Sequence, residues 1–458
     1  MVNTMTNDTP PTDTKQQSTP TVSAALPDGS LVELVLDPRE AKTRLALYKD
    51  GRTTLAESIP TASGVPLVPV PARNNLIRHG VLLLPEHATP FESTNALIRE
   101  IEAYITRYVD LSDAFLRIAS AYVLLSWVYD AFNELPYLRF RGDYGSGKTR
   151  ALLIVGSICF KPFFASGAST ISPIFHTLDT FGSTLVVDET DFRMSDEKAE
   201  LVKIFNNGNV RGFPVLRSSA TPQHTFDPRA FIVFGPKIVA MRHAFDDPAL
   251  ESRFLTEEMG KRPLRSGIPI NLPDLQRDEA RELRNKLLWY RFTTLKSVVV
   301  DTSAYDDRLS PRTNQIVTPL LSVVGNPTLA AHIRSHMAGA EKQLRVERSG
   351  SPEGQLLDVV LTLTGKDNSA HITVAAITEA FTLRFGKEYE RPISPRYVGH
   401  LLRNRLRLAT YKRHGNFVLL TTEHEHLRVL AERYGIESSG DVEVSVNTAN
   451  QTTSRKRQ

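Results

Sequence analysis

Residues Gly142-Asp143-Tyr144-Gly145-Ser146-Gly147-Lys148-Thr149 set a glycine four residues ahead of Gly-Lys-Thr. A strand-like stretch, Tyr137-Leu138-Arg139-Phe140-Arg141, precedes them, and a helix-like one, Ala151-Leu152-Leu153-Ile154-Val155, follows. A strand, a tight glycine turn and a helix N-terminus aim successive backbone N–H groups at one point, where the helix dipole adds positive potential. Glycines at 145 and 147 take backbone angles that side chains forbid, so the chain can wrap a polyphosphate. Lys148 is then placed to reach the β- and γ-phosphates and the Thr149 hydroxyl to ligate Mg²⁺. The chemistry predicted is binding of ATP with Mg²⁺.

A second motif supplies acids. Ser183-Thr184-Leu185-Val186-Val187-Asp188-Glu189 reads as a strand buried on both faces and ending in two carboxylates. The C-terminal ends of strands are where open α/β sheets hold ligands. Asp188 is the expected holder of Mg²⁺, and Glu189 the expected activator of the attacking water. Binding and hydrolysis are thus both written in the chain.

These motifs need a scaffold, and 458 residues allow two to four domains. Apolar content of 41% and charged content of 23% are those of an ordinary soluble protein. The single cysteine, Cys159, cannot form an internal disulfide, which fits a reducing, cytoplasmic compartment. No apolar run is long enough to span a bilayer, the N-terminus lacks a signal-peptide pattern, and no membrane partner is expected. No His/Cys cluster has metal-ligand spacing.

Composition divides the chain further. Residues 1–25 are Thr-, Asn-, Pro- and Gln-rich and read as a disordered tail. Residues 26–90 read as a small β-rich module with a hairpin turn at Lys49-Asp50-Gly51-Arg52. Residues 91–136 read as a helical lead-in, with Ser93 and Ser112 as N-caps. The nucleotide-binding core is expected over 137–300. It includes a hairpin carrying Arg211 and Arg217, and a strand, Lys237-Ile238-Val239-Ala240-Met241. A helical lid over 301–348, a basic module over 352–436 and a flexible basic tail over 437–458 complete the chain.

The phosphate loop, the Val187-Asp188-Glu189 strand end and Leu250-Glu251-Ser252-Arg253-Phe254 together resemble an AAA+ ATPase, more narrowly the superfamily 3 and MCM-like helicases of mobile elements. The resemblance is strong over 137–258 and reaches residue 320 weakly. It implies an α/β, three-layer α/β/α core with a helical lid. Arg253 would be an arginine finger reaching the nucleotide of the next subunit, so the active form would be a homo-oligomeric ring. Arg312, opening a helix after Ser310-Pro311, is similar to the lid arginine that senses the γ-phosphate of its own subunit. The first sensor should end the Ile238–Met241 strand; Arg242 and His243 lie nearest, where the family has Asn, Ser or Thr, so it stays unassigned.

The segment 391–420 holds no acidic residue, yet carries Arg396, Arg403, Arg405, Arg407, Lys412 and Arg413. Three short helices followed by a hairpin outline a winged helix-turn-helix, and the one-sign surface suits a phosphate backbone. Such modules also serve protein contacts. Three functions remain open on these residues. The leading one is an ATP-dependent DNA motor, a ring-forming replicative helicase of a mobile element, threading a single strand past Arg211 and Arg217 with duplex held at the basic module. The others are an ATP-switched DNA-binding initiator and a remodeller of proteins.

Overall fold

The computed structural model describes residues 18–188, 196–220, 226–245, 247–300, 305–366, 372–419 and 423–436. It divides into two units, Met1–Ser335 and His336–Gln458.

The first unit opens with β1 (Thr19–Thr21), β2 (Ser23–Ala25), β3 (Leu31–Asp37), β4 (Lys42–Lys49), β5 (Arg52–Ala56) and β6 (Leu67–Pro69). Strands β2-β3-β4-β5 form an antiparallel sheet, and β1 pairs with β6 in parallel. Asp50 and Gly51, with φ of 48° and 77°, close the β4–β5 hairpin between Lys49 and Arg52. Positive φ at both positions is what a two-residue hairpin turn demands, and Asp-Gly supplies it cheaply. Strands β1 and β2 correct the expectation of disorder through residue 25. Their order comes from ladder bonds to β6 and β3, which composition does not register; residues 1–17 lie outside the described residues.

Next come α1 (Asn75–Arg78), α2 (Thr94–Tyr108) and α3 (Asp113–Trp127). Ser93 and Ser112 cap α2 and α3 by accepting from the backbone N–H of Ala96 and Phe115, each at 3.2 Å. The core then runs β7 (Tyr137–Arg141), α4 (Lys148–Gly156), β8 (Phe163–Ser166), α5 (Ile171–Phe181), β9 (Leu185–Asp188) and α6 (Asp196–Asn207). A hairpin, β10 (Val215–Ala220) and β11 (Phe226–Phe231), leads to β12 (Lys237–Met241), α7 (Pro248–Glu251) and β13 (Phe254–Glu258). The five core strands are parallel in the order β13-β7-β12-β9-β8. Period-two alternation turns Tyr137 toward α6, where its hydroxyl donates to Phe205 O at 2.8 Å, and Phe140 toward Phe115 of α3. Helices therefore cover both faces of a mixed α/β core.

Helices α8 (Leu275–Thr294), α9 (Pro311–Val324) and α10 (Pro327–Ser349) follow. The expected 26–90 module shares the core: Val32, Leu34 and Leu45 belong to one apolar cluster with Tyr137 and Val187. A buried charge network adds to this union. Glu33 on β3 meets Lys161 Nζ at 2.6 Å and Arg291 Nε of α8 at 2.6 Å, and Arg291 also meets Asp130 at 2.7 Å. Removing one partner strands buried charge. Glu33→Ala is expected to cost about 3–5 kcal/mol, read as a lowered denaturation midpoint; a loss below about 1 kcal/mol would show that the network is hydrated.

In the second unit, α11 (Pro352–Lys366), α12 (Val374–Phe385) and α13 (Pro395–His400) precede a hairpin, β14 (Thr410–Arg413) and β15 (Asn416–Leu419). Helix α13 runs on into a π-helical turn over Leu401–Arg405. Ser394 caps α13 by accepting from Tyr397 N at 3.2 Å, with Pro395 at the first helical position. Thr373 bridges antiparallel to Val418, setting a third backbone segment beside the hairpin. Helix α14 (His424–Tyr434), which the sequence reading did not anticipate, buries Leu427 and Leu430 in this unit's core. The tail over 437–458 lies outside the described residues. Among the described residues, no helix is long and apolar enough to cross a membrane.

Candidate nucleotide site

Residues 142–147 link β7 to α4 at the C-terminal edge of the sheet, where Gly147, at φ 88°, heads the helix without a side-chain cap. A β carbon there would be strained, and its absence leaves the first N–H groups of α4 open to an anion. A β carbon on Gly142 would stand 2.6 Å from the carbonyl oxygen of Met259, so the loop rests closely on the end of β13. Asp143, Tyr144 and Gly145 form the outer turn, with Tyr144 exposed. Ser146 Oγ donates to Asp143 O at 2.8 Å.

Lys148 is buried, and its ammonium donates to Asp143 O at 2.5 Å. Burial, and secondly the neighbouring Arg242 guanidinium, hold its pKa below the usual lysine value. A triphosphate seated in the loop opposes both effects. Thr149 Oγ1 donates to Asp188 Oδ2 at 2.8 Å, bringing the helix start and the end of β9 together. Asp188 Oδ1 is buried with no hydrogen-bond partner among the described residues. A hydroxyl and a carboxylate with a spare buried oxygen suit Mg²⁺, which takes hard oxygen ligands. Glu189 lies outside the described residues.

Strand β12 runs between β7 and β9, so its end points into this site. Arg242, directly after it, lays its guanidinium carbon 3.3 Å from the centre of the Tyr144 ring. The position directly after β12 thus holds a cation beside the phosphate loop, while His243 is exposed.

The opposite edge of the sheet gathers different residues. Arg253 directly precedes β13; its carbonyl accepts from Tyr137 N at 2.9 Å, and its guanidinium donates to the Asn206 side chain at the end of α6. Its Nε is buried and has no partner among the described residues. Burial lowers the Arg253 pKa, and Arg312 adds to that; both arginines also act on Tyr137. Arg312 stands 3.9 Å from Glu134 and 2.6 Å from Gln315. Tyr137 and Arg141 are four residues apart, roughly 13 Å along a strand. Arg312 therefore lies away from its own phosphate loop and beside Arg253, which corrects its expected role as sensor in cis. The reason is that α9 itself packs along α3 of the lead-in, which fixes where its first residues lie.

Sequence reading also missed an internal tie. Arg139, in the phosphate-loop strand, makes two bonds to the Glu251 carboxylate, one of them at 2.7 Å, and Glu251 also accepts from Phe245 N at 3.0 Å. The segment bearing Arg253 is thereby fastened to β7. An arginine inside an otherwise apolar strand was the available signal, because a buried guanidinium requires a carboxylate.

Arg211 lies before the hairpin rather than on it. Its guanidinium donates to the carbonyls of Asp130 at 2.8 Å and Phe132 at 3.1 Å and covers Phe234, so it anchors the lead-in. This corrects its expected place on the hairpin. Arg217 is on β10, paired with Glu200 of α6. In the second unit Arg396, Arg403, Arg405, Arg407, Lys412 and Arg413 are all exposed. Arg403 covers the Phe417 ring at 5.4 Å, and Arg405 lies 3.5 Å from Glu353.

No family model and no curated relative matches the sequence. Among solved structures, the apo C-terminal region of NrS-1 is similar at 10% identity over 85% of this chain and 95% of that one, with a TM-score of 0.35. Cdc6p from Pyrobaculum aerophilum is similar at 11% identity over 72% and 98%, with a TM-score of 0.21. Drosophila ORC bound to DNA is similar at 13% identity over 77% and 97%, with a TM-score of 0.16. With scores this low, the geometry of the chain itself must carry the functional reading.

Proposed function

We propose that this chain is an AAA+ ATPase that couples ATP hydrolysis to movement on DNA, as a ring-forming helicase. The observation that carries the nucleotide reading is the meeting of Lys148, Thr149 and Asp188 at the open N-terminus of α4. The backbone of 142–147 and Lys148 bind the polyphosphate, while Thr149 and Asp188 would hold Mg²⁺. Held there, the ion would supply charge neutralisation at the phosphoryl oxygens. Glu189 is the residue proposed to orient and deprotonate the attacking water, and Arg242 a second cation for the terminal phosphate. Arg253, with Arg312 beside it, serves the neighbouring subunit's nucleotide across a head-to-tail interface, which closes into a ring when the rotation allows.

Support for DNA comes from two places. The hairpin β10–β11 carries Arg217 and Arg229. The second unit has three helices and a hairpin, the outline of a winged helix, with a surface of exposed arginines and lysine free of acids over 391–420. Steady-state ATPase measured with and without single-stranded and duplex DNA tests the motor. Single strands are expected to stimulate turnover at least several-fold, with stimulation falling as salt rises. Turnover indifferent to both DNAs would replace the motor with a nucleotide switch or a protein remodeller.

A further inference from the structure

A cavity of about 610 Å³ lies between α5, α6 and the hairpin, within the roughly 300–1,000 Å³ range of small-ligand sites. Its lining includes Phe175 and His176 of α5, Glu200 of α6, Arg217 of β10, and Arg229 and Phe231 of β11. The ring centres of Phe175 and Phe231 are 4.7 Å apart, and His176 meets Phe231 edge-on at 4.5 Å. Each phenylalanine carries a guanidinium: Arg217 at 5.2 Å from the Phe175 centre and Arg229 at 4.8 Å from that of Phe231.

Arg217 and Arg229 are direct cross-strand partners in the hairpin. Like charges in that relation destabilise a ladder, and an anion placed between them removes the cost. The carboxylates nearby supply only part of this. Arg217 pairs with Glu200, and Arg229 is 3.9 Å from Asp179, through arginine side chains that are 42% and 60% exposed. Exposed ion pairs contribute little to stability, so a phosphate can take the carboxylate's place readily. Aromatic faces beside paired cations are the means by which single strands are held without regard to sequence.

We propose that this cavity receives one unstacked base of a single-stranded nucleic acid, with its flanking phosphate between Arg217 and Arg229. The inference rests on the DNA-motor reading and goes beyond it, because it assigns a base pocket beneath the hairpin rather than a backbone grip alone. It separates two functions: Arg217 and Arg229 of the hairpin hold charge, while exposed His176 of α5, backed by buried Phe231, holds the ring.

The test is fluorescence anisotropy with a labelled oligothymidine and an abasic oligonucleotide of equal length, on the full chain, His176→Ala and Arg229→Ala. Both substituted side chains are exposed, and unchanged thermal melting serves as the folding control. Wild type is expected to bind the base-bearing strand roughly fivefold or more tightly than the abasic one. His176→Ala should bring that ratio toward unity. Arg229→Ala should weaken both strands alike and reduce the salt slope by about 0.7. Wild type binding DNA with a base-to-abasic ratio that His176→Ala leaves unchanged overturns the pocket and leaves the motor standing. Wild type binding neither strand overturns the motor itself, and the pocket with it.

Discussion

Lys148→Ala is expected to lower steady-state ATP turnover by roughly 10²–10³-fold, the loss typical of deleting one preorganised group that meets developing charge. In the structure the ammonium is buried, turned onto the Asp143 carbonyl at 2.5 Å and Ser146 Oγ at 3.4 Å, with Arg242 also acting on it. It is held where water solvates it poorly and two neutral oxygens stand in for the phosphates. Nucleotide binding restores an anionic partner, and the sign of the pH dependence follows. Free Lys148 has a lowered pKa, and the bound phosphates raise it again, so the complex holds more protons than the free protein at alkaline pH. ATP affinity should therefore weaken as pH climbs through the free-state pKa, and Lys148→Ala should lose that dependence. Titration calorimetry in buffers of differing ionisation enthalpy reads the proton uptake directly. Wild-type turnover in Lys148→Ala would show that the chemistry lies elsewhere in the chain.

Arg253→Ala should cost 10³–10⁵-fold in turnover, about the worth of an arginine finger, while leaving nucleotide affinity nearly intact. The warrant is positional. Arg253 sits at the N-terminal edge of β13 beside Tyr137, and the phosphate loop sits at the other edge, so it cannot serve its own nucleotide. Its Nε has no partner among the described residues, and Asn206 accepts from the guanidinium, as expected of a side chain kept in position for an anion from outside the subunit. Mixing distinguishes a finger from a structural arginine. Arg253→Ala subunits retain the phosphate loop and Lys148→Ala subunits retain the finger. In an equal mixture about a quarter of head-to-tail interfaces pair the two intact halves. Activity should reappear in the mixture although each variant alone is inert. No recovery, with oligomers shown to exchange subunits, removes Arg253 from the trans role. The same mixture made with Arg312→Ala tests whether the second arginine of this edge acts with it.

Local chemistry was legible in the chain. The phosphate loop, the caps Ser93, Ser112 and Ser394, and the Asp50-Gly51 turn each depend on contacts within a few residues, so type and spacing suffice to specify them. The strand ending at Asp188 was equally plain from its apolar run. Charge told of the basic surface over 391–420, because a solvated cluster needs no partner to be recognised.

What only the tertiary structure decided is which distant residues share an edge of the sheet. Strand order places β12 between the two site strands, and so brings Arg242 to Tyr144 and Lys148; nothing in the spacing from residue 148 to residue 242 encodes that. Packing of α9 on α3 puts Arg312 near Glu134 and Arg253, away from the place its resemblance to a lid arginine implied. Arg211 became an anchor because the lead-in carbonyls lie beneath it, and Arg217 gained Arg229 and an aromatic floor because a hairpin folds back across α5. Short-range geometry is set by backbone angles and nearby hydrogen bonds, which each residue type constrains by itself. Long-range neighbours are set by burial of apolar surface across the whole sheet, and that total is not contained in any window of the sequence.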